Sequence, residues 1–137
     1  MRFCVITILI ILVSCSHQTS EPENPAYTYL KNKNFVITNF TIDLIDETEL
    51  FSDYVFAFKS NNTVDVIGSD NSVSGSWSVF YITLEGQFLS YNNFKMHLNN
   101  SDAQLQKLND EFIISLSSPN EMAMYSTSKN LRFTAID

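Results

Sequence analysis

Four kinds of side chain in this sequence could do chemistry: cysteines, histidines, a run of carboxylates, and serines beside a glycine. A zinc site takes three or four nitrogen or sulfur ligands. The two cysteines are Cys4 and Cys15, and the two histidines are His17 and His97. His97 alternates with Met96 and Leu98, so it faces away from an apolar strand face and reads as a surface residue. Asp43, Asp46, Glu47 and Glu49 offer oxygens to a calcium ion, yet they lack the glycine and regular Asp-x-Asp spacing of calcium loops. Acidic residues opening a helical turn, opposing its dipole, account for them more simply. Ser74-Gly75-Ser76-Trp77 grazes a nucleophile elbow but lacks its second glycine. Strand alternation explains Ser76 and Ser78. A glycosidase needs two carboxylates across a cleft, and fifteen acidic residues supply no means of choosing a pair. No catalytic set, metal site or cofactor is expected, and the chain does not read as an enzyme.

Cys15 stands apart because of what precedes it. Arg2 gives a short positive start, and residues 3–13 (FCVITILIILV) are an apolar run. Such a run suits the ~7–15 residues of a signal core and falls short of the ~20 needed to cross a bilayer. Leu12-Val13-Ser14-Cys15 then resembles a lipobox, with an aliphatic residue at −3 and a small one at −1. That resemblance implies diacylglyceryl transfer to the Cys15 thiol, cleavage before it, and acylation of the new amino group. An ordinary secretory signal cut nearby is the alternative. Cleavage would also remove Cys4, leaving one alkylated sulfur and neither a disulfide nor a thiolate metal site. The expected layout is a signal peptide over 1–14, lipidated Cys15 and a flexible tether over 15–33, and one folded domain over 34–137. The tether (SHQTSEPENPAYTYLKNK after Cys15) carries Pro22 and Pro25 among polar residues, and its His17 reads as solvated.

Composition narrows the partners. Removing Arg2 with the signal leaves seven basic against fifteen acidic residues, a net charge of −8. Without a basic stripe this argues against nucleic acid and against adhesion to anionic headgroups. The membrane is reached through the N-terminal lipid instead. The expected location is the cell envelope, tethered to a bacterial membrane, the outer membrane foremost.

The elements that position these residues are strands. Period-two alternation marks Phe35–Ile42, Asp53–Lys59, Thr63–Ile67, Ser74–Tyr81, Phe94–Leu98, Glu111–Leu116, Glu121–Tyr125 and Leu131–Ile136, with one or two further doubtful strands between Ile82 and Asn93. Asn61-Asn62 suits a hairpin turn, and Gly68–Ser72 is another. Helical turns are expected at Asp46–Ser52 and at Ser101–Asn109, the latter capped by Ser101 or Asp102. Spacing of ~8–12 residues with short turns indicates an all-β fold: a small antiparallel up-and-down barrel of about eight strands, or alternatively a two-sheet sandwich.

The run FVITNFTIDLIDETELFSDYVFAFKSNNTVDVIGSDNSVSGSWSV resembles the lipocalin-like lipoproteins of Bacteroidota. The shared pattern is an aromatic opening strand, an Asp-Glu-Thr turn, a Tyr-x-Phe-x-Phe strand, a Thr-Val strand and a Val-x-Gly-x-Trp strand. LQKLNDEFIISLSS and Asn130-Leu131-Arg132-Phe133 extend it. Phe35 and Phe112 stand where that family carries Trp. Gly75-Ser76-Trp77 lies mid-domain, whereas true lipocalins carry Gly-x-Trp on their first strand. The resemblance therefore implies the barrel and the anchor without lipocalin ligand chemistry.

Tyr54, Phe56, Phe58, Trp77 and Tyr81 share an aromatic face that either lines a ligand pocket or fills the core. The leading expectation is a non-enzymatic role, binding a small apolar or glycan-derived molecule. The alternative is a structural or protein-interaction module with a filled barrel, docking an envelope protein by its outer surface or an exposed edge strand. Interior volume separates the two.

Overall fold

The computed structural model describes residues 24–86, 90–99 and 102–136. The signal segment, Cys15, His17 and Ser101 lie outside them. Strands β1 (Lys33–Ile42), β2 (Ile45–Asp46), β3 (Val55–Phe58), β4 (Thr63–Ile67), β5 (Ser72–Thr83), β6 (Ser90–Leu98), β7 (Asp110–Ser117), β8 (Glu121–Tyr125) and β9 (Lys129–Ile136) form one antiparallel sheet. Its order is β2-β1-β3-β4-β5-β6-β7-β8-β9, and β9 pairs back onto β1. Eight strands thus close an up-and-down barrel, with β2 as a short flap on β1. Closure leaves no sandwich edge, and the barrel is the correct alternative. Among the described residues no separate strand occupies the interval after Ile82, because β5 and β6 themselves extend into it.

Alternation sets which side chains go inside, and bulges correct its phase. Phe35 and Ile37 point inward on β1; an irregularity in the β1–β9 ladder between Ile37 and Asn39 then shifts the count, so the next buried residue is Phe40. The interior is aromatic. Phe133 makes edge-to-face contacts with Phe35, Phe56, Phe58 and Phe94 at centroid distances of 6.3, 5.2, 5.4 and 6.2 Å. Edge-to-face packing matches the positive ring edge to the negative ring face.

Both barrel ends are stoppered. At the far end, a 3-10 turn (Thr48–Phe51) inserts Phe51, and α2 (Ala103–Gln106) with its following turn inserts Leu105 and Leu108; all three are fully buried. Asp102 caps α2, its carboxylate accepting from Leu105 N at 2.8 Å. At the near end sits α1 (Pro25–Leu30).

Helix α1 corrects the expected domain boundary, since residues 24–33 do not belong to a tether. Asn24 caps it by accepting from Ala26 N at 3.0 Å, and Pro25 takes the first turn, where its missing N–H costs nothing. Six residues cannot hold a helix alone. Tertiary contacts do it: Ala26 and Leu30, one turn apart, are fully buried, and Tyr27 stacks on Trp77 at 5.1 Å. Asn32 then adopts a left-handed φ of 59° that turns the chain into β1.

Candidate interaction surface

The barrel interior is the first place to look for a site, and it is solid. A void large enough for water would leave accessible area on the side chains around it. Phe35, Phe40, Phe56, Phe94, Phe112 and Phe133 have none. Of the five aromatic candidates, Phe56, Phe58 and Trp77 are core residues, at 2 % exposure or less. Tyr54 is half-buried at the far rim, its ring lying against Gly68, where an added Cβ would come within 2.8 Å of it. Tyr81 is 49 % exposed and neither lines nor fills the core. Alternation puts it in phase with Trp77, but β5 has left the barrel wall by then.

Trp77 explains the Gly75-Ser76-Trp77 motif. Its indole N–H donates to the Thr63 carbonyl at 2.9 Å and the Lys59 carbonyl at 3.2 Å, clamping the β3–β4 turn. Gly75 lets β5 and β6 approach, since an added Cβ would stand 2.1 Å from the His97 carbonyl oxygen. Ser76 and His97 are cross-strand partners on the outer wall, both exposed, and no hydrogen bond joins their side chains. Asp65 is held by Ser74 at 2.9 Å and Lys59 at 2.5 Å.

The acidic run builds a structural turn. Asp46 accepts from the Thr48 hydroxyl at 2.6 Å and the Thr48 N–H at 2.9 Å, which hold its carboxyl below the usual range. The Thr48 hydroxyl oxygen in turn accepts from Phe40 N at 2.8 Å. Glu47 pairs with Lys107 at 2.6 Å. Among the described residues no group of three histidines, cysteines or carboxylates is arranged to hold a metal ion.

Beside that turn lies the most unusual surface feature. Ile42 pairs with Ile45, so Asp43 and Leu44 form a two-residue hairpin loop with φ of 49° and 69°. Positive φ at both positions is the type I′ turn, which favours Asn or Asp followed by Gly. Here a leucine occupies the glycine position and is 93 % exposed, followed by Ile45 at 65 %. A left-handed leucine costs about 1–2 kcal/mol and, in water, gains nothing in return. Strain of this kind collects at functional positions.

Leu44 forms one wall of a depression of about 460 Å³ whose other wall is Tyr125 and the β8–β9 turn, Ser126–Ser128. Asp43 N donates to the Ser128 carbonyl at 2.8 Å, joining the two turns. Tyr125 is 41 % exposed and lies in a cross-strand row with Asn93, Ile113 and Asn130. Asn93, 6 % exposed, donates to Glu111 at 2.8 Å, while its side-chain oxygen has no partner among the described residues. Asp110 fixes the second turn from beneath. Burial opposes its ionisation, but Lys129 at 2.9 Å, the Glu111 N–H at 2.8 Å and the Ser126 hydroxyl outweigh it and hold the carboxyl below its usual range. The far end is also acidic: Asp43, Asp46, Glu49, Asp53, Asp70 and Asp102 surround it, and the two lysines there are engaged by Glu47 and Asp110.

Two predictions arise here. Leu44→Gly supplies the residue that the turn prefers and is expected to raise stability by about 0.5–1 kcal/mol in urea titrations, glycine's entropy cost offsetting part of the relieved strain. Asp110, with its depressed folded-state pKa, contributes stability that is complete above about pH 4, the unfolded range, and is lost as pH falls through the folded value. Thermal melts at pH 7 and pH 3 are expected to show a smaller acid-induced drop for Asp110→Asn than for the parent.

The strained Leu44 turn and α1 are the structural features that the sequence pattern did not disclose. Ile42-Asp43-Leu44-Ile45 carries a signal, since an Asp-led two-residue loop between β-branched residues is a hairpin pattern. The acidic residues around it read instead as the opening of a helical turn.

No protein-family model matches the chain, and no curated protein matches it. Among solved structures, a DUF4847 family protein from Bacteroides vulgatus is similar at TM-score 0.47 and 10 % identity, over 77 % of this chain and 93 % of that one. A protein from Burkholderia xenovorans is similar at TM-score 0.47 and 15 % identity, over 85 % of this chain and 90 % of that one. Likeness at this level assigns no family and no activity to this chain.

Proposed function

We propose that this protein is a lipid-anchored component of the cell envelope that acts without catalysis, through its outer surface. The partner is a basic, partly apolar segment of another envelope protein, seated between Leu44 and Tyr125 at the far end of the barrel. One observation carries this reading: the lumen is filled by its own side chains, so an apolar ligand inside would have to displace phenylalanines that are fully buried. Interior binding of a small apolar or glycan-derived molecule, the leading expectation from sequence, loses its support with that volume. The anchor rests on the apolar N-terminal run and the Leu-Val-Ser-Cys sequence ending at Cys15. The acidic far end suits a basic partner, and the exposed apolar pair Leu44 and Ile45 suits a segment with an apolar anchor.

A photo-crosslinking side chain at position 44, introduced in the native host, tests this directly. A discrete adduct is expected that is absent when the crosslinker replaces Lys95 and is lost when Tyr125→Ala is added. Crosslinks of equal yield at both positions, or none at 44, would contradict a docking role for the groove.

A further inference from the structure

We infer that the α1 end of the barrel rests on the bilayer, with the β5–β6 ribbon as its contact surface; this rests on the proposed anchor at Cys15. The ladders show why the ribbon projects. β4 pairs with β5 only across Ser72–Ser76, and β7 meets β6 only from Asn93 onward. Tyr81–Thr83 therefore pair with Ser90–Asn92 and, among the described residues, with no second strand. An isolated two-stranded ribbon in water is marginal and calls for cover. This one carries Tyr81, Leu84 and Tyr91 at 49 %, 44 % and 37 % exposure.

What covers it follows from where the chain joins the fold. Asn24 and Asn92 exchange side-chain hydrogen bonds at 2.7 and 3.2 Å, so the N-terminal segment meets the domain at the ribbon's base. From Cys15 to Asn24 is nine residues, a span of at most about 30 Å when extended. A lipid on Cys15 thus holds the ribbon within reach of the headgroups. Charge is more mixed at this end: Lys31, Lys33 and Lys59 lie there with Glu85 and Glu121, Lys59 being paired with Asp65, whereas Asp43, Asp46, Glu49, Asp53, Asp70 and Asp102 crowd the opposite end. Tyrosine, apolar in its ring and polar at its tip, suits the interface. The occupant is a zwitterionic bilayer interface, since the net charge of −8 opposes anionic lipid.

The full chain, processed in its host and placed in phosphatidylcholine vesicles with brominated acyl chains, provides the test. Intact mass reports acylation, and a tryptophan introduced as Tyr91→Trp or Tyr81→Trp is compared with Ile67→Trp at the far end, each against the Trp77 background. Emission at 91 and 81 is expected to lose intensity in brominated vesicles while that at 67 does not. Acylated protein with no loss at 91 and 81, or with equal loss at 67, overturns the inference alone. A mature chain without the acyl mass overturns the anchor and the inference together.

Discussion

Trp77→Ala is expected to destabilise the protein by about 3–5 kcal/mol, the usual cost of truncating a buried aromatic. Against a typical total of about 5–15 kcal/mol this approaches unfolding. The size reflects three separate losses. The cavity removes ring contacts with Phe58, 5.4 Å away at 77°. The clamp on the Lys59 and Thr63 carbonyls disappears. Tyr27 loses its stacking partner, and with it α1 loses one of the few contacts holding six residues helical. Trp77→Phe keeps a ring and forfeits the N–H. Both carbonyls retain a backbone donor, Asn62 N to Lys59 O at 3.1 Å and Lys59 N to Thr63 O at 2.9 Å, so the loss should be nearer about 1–2 kcal/mol. Amide exchange gives the sharper readout. Protection over residues 26–31 should collapse in Trp77→Ala before the rest of the barrel opens. Uniform loss of protection would mean that α1 is not a separately releasable stopper.

The second large effect is at Phe133, the ring that touches four others. Phe133→Ala is expected to cost about 3–5 kcal/mol and to leave an enclosed apolar space, because a closed barrel wall cannot collapse onto it. Dry cavities of that kind take up benzene or xenon. The variant should therefore gain stability when benzene is added, and the parent should not. A parent chain stabilised equally by benzene would reveal interior room that the burial of Phe35, Phe56, Phe94 and Phe133 excludes. Should the alanine variant fail to fold, Phe133→Leu makes the same comparison with a smaller cavity.

How much of this the sequence disclosed depends on the kind of physical signal. Strands with one wet and one dry face alternate visibly, so the barrel wall could be read from segments such as Tyr54-Val55-Phe56-Ala57-Phe58 and Leu131-Arg132-Phe133. The Asp102 cap and the buried pair Leu105 and Leu108 were legible for the same reason: local hydrogen bonding and spacing state their purpose. Tyr81 failed because alternation fixes which way a side chain points but not where the neighbouring strand stops. β4 ends its pairing at Ser76, five residues earlier. Helix α1 was hidden because its stability is tertiary. Read alone, Asn-Pro-Ala-Tyr-Thr-Tyr-Leu is polar and proline-bearing, and only Trp77 and the open barrel end make it a stopper. Interior volume lay beyond local sequence altogether, since it follows from how rings on six different strands meet.

A solid barrel changes what the surface must do. Its wall is too well packed to open for a guest without large cost, and rigidity of that kind suits a platform presenting fixed features at its two ends. The far end offers a strained leucine and an exposed tyrosine over an acidic rim; the near end offers the ribbon and the joint to the N-terminal segment. Replacing Leu44 by glycine should separate stability from function, since the fold gains while docking is lost, which is the trade expected of a residue kept for contact and not for folding.

On the function proposed, this protein acts from its outside and holds nothing within. Native mass spectrometry of the chain extracted gently from its own envelope tests it most directly. The mass of the chain with its covalent modifications alone, and no stoichiometric small molecule released on activation, is the predicted result. A retained apolar molecule that is lost when a ring is added to the core, as in Val64→Phe, would place a ligand inside the barrel and contradict this reading.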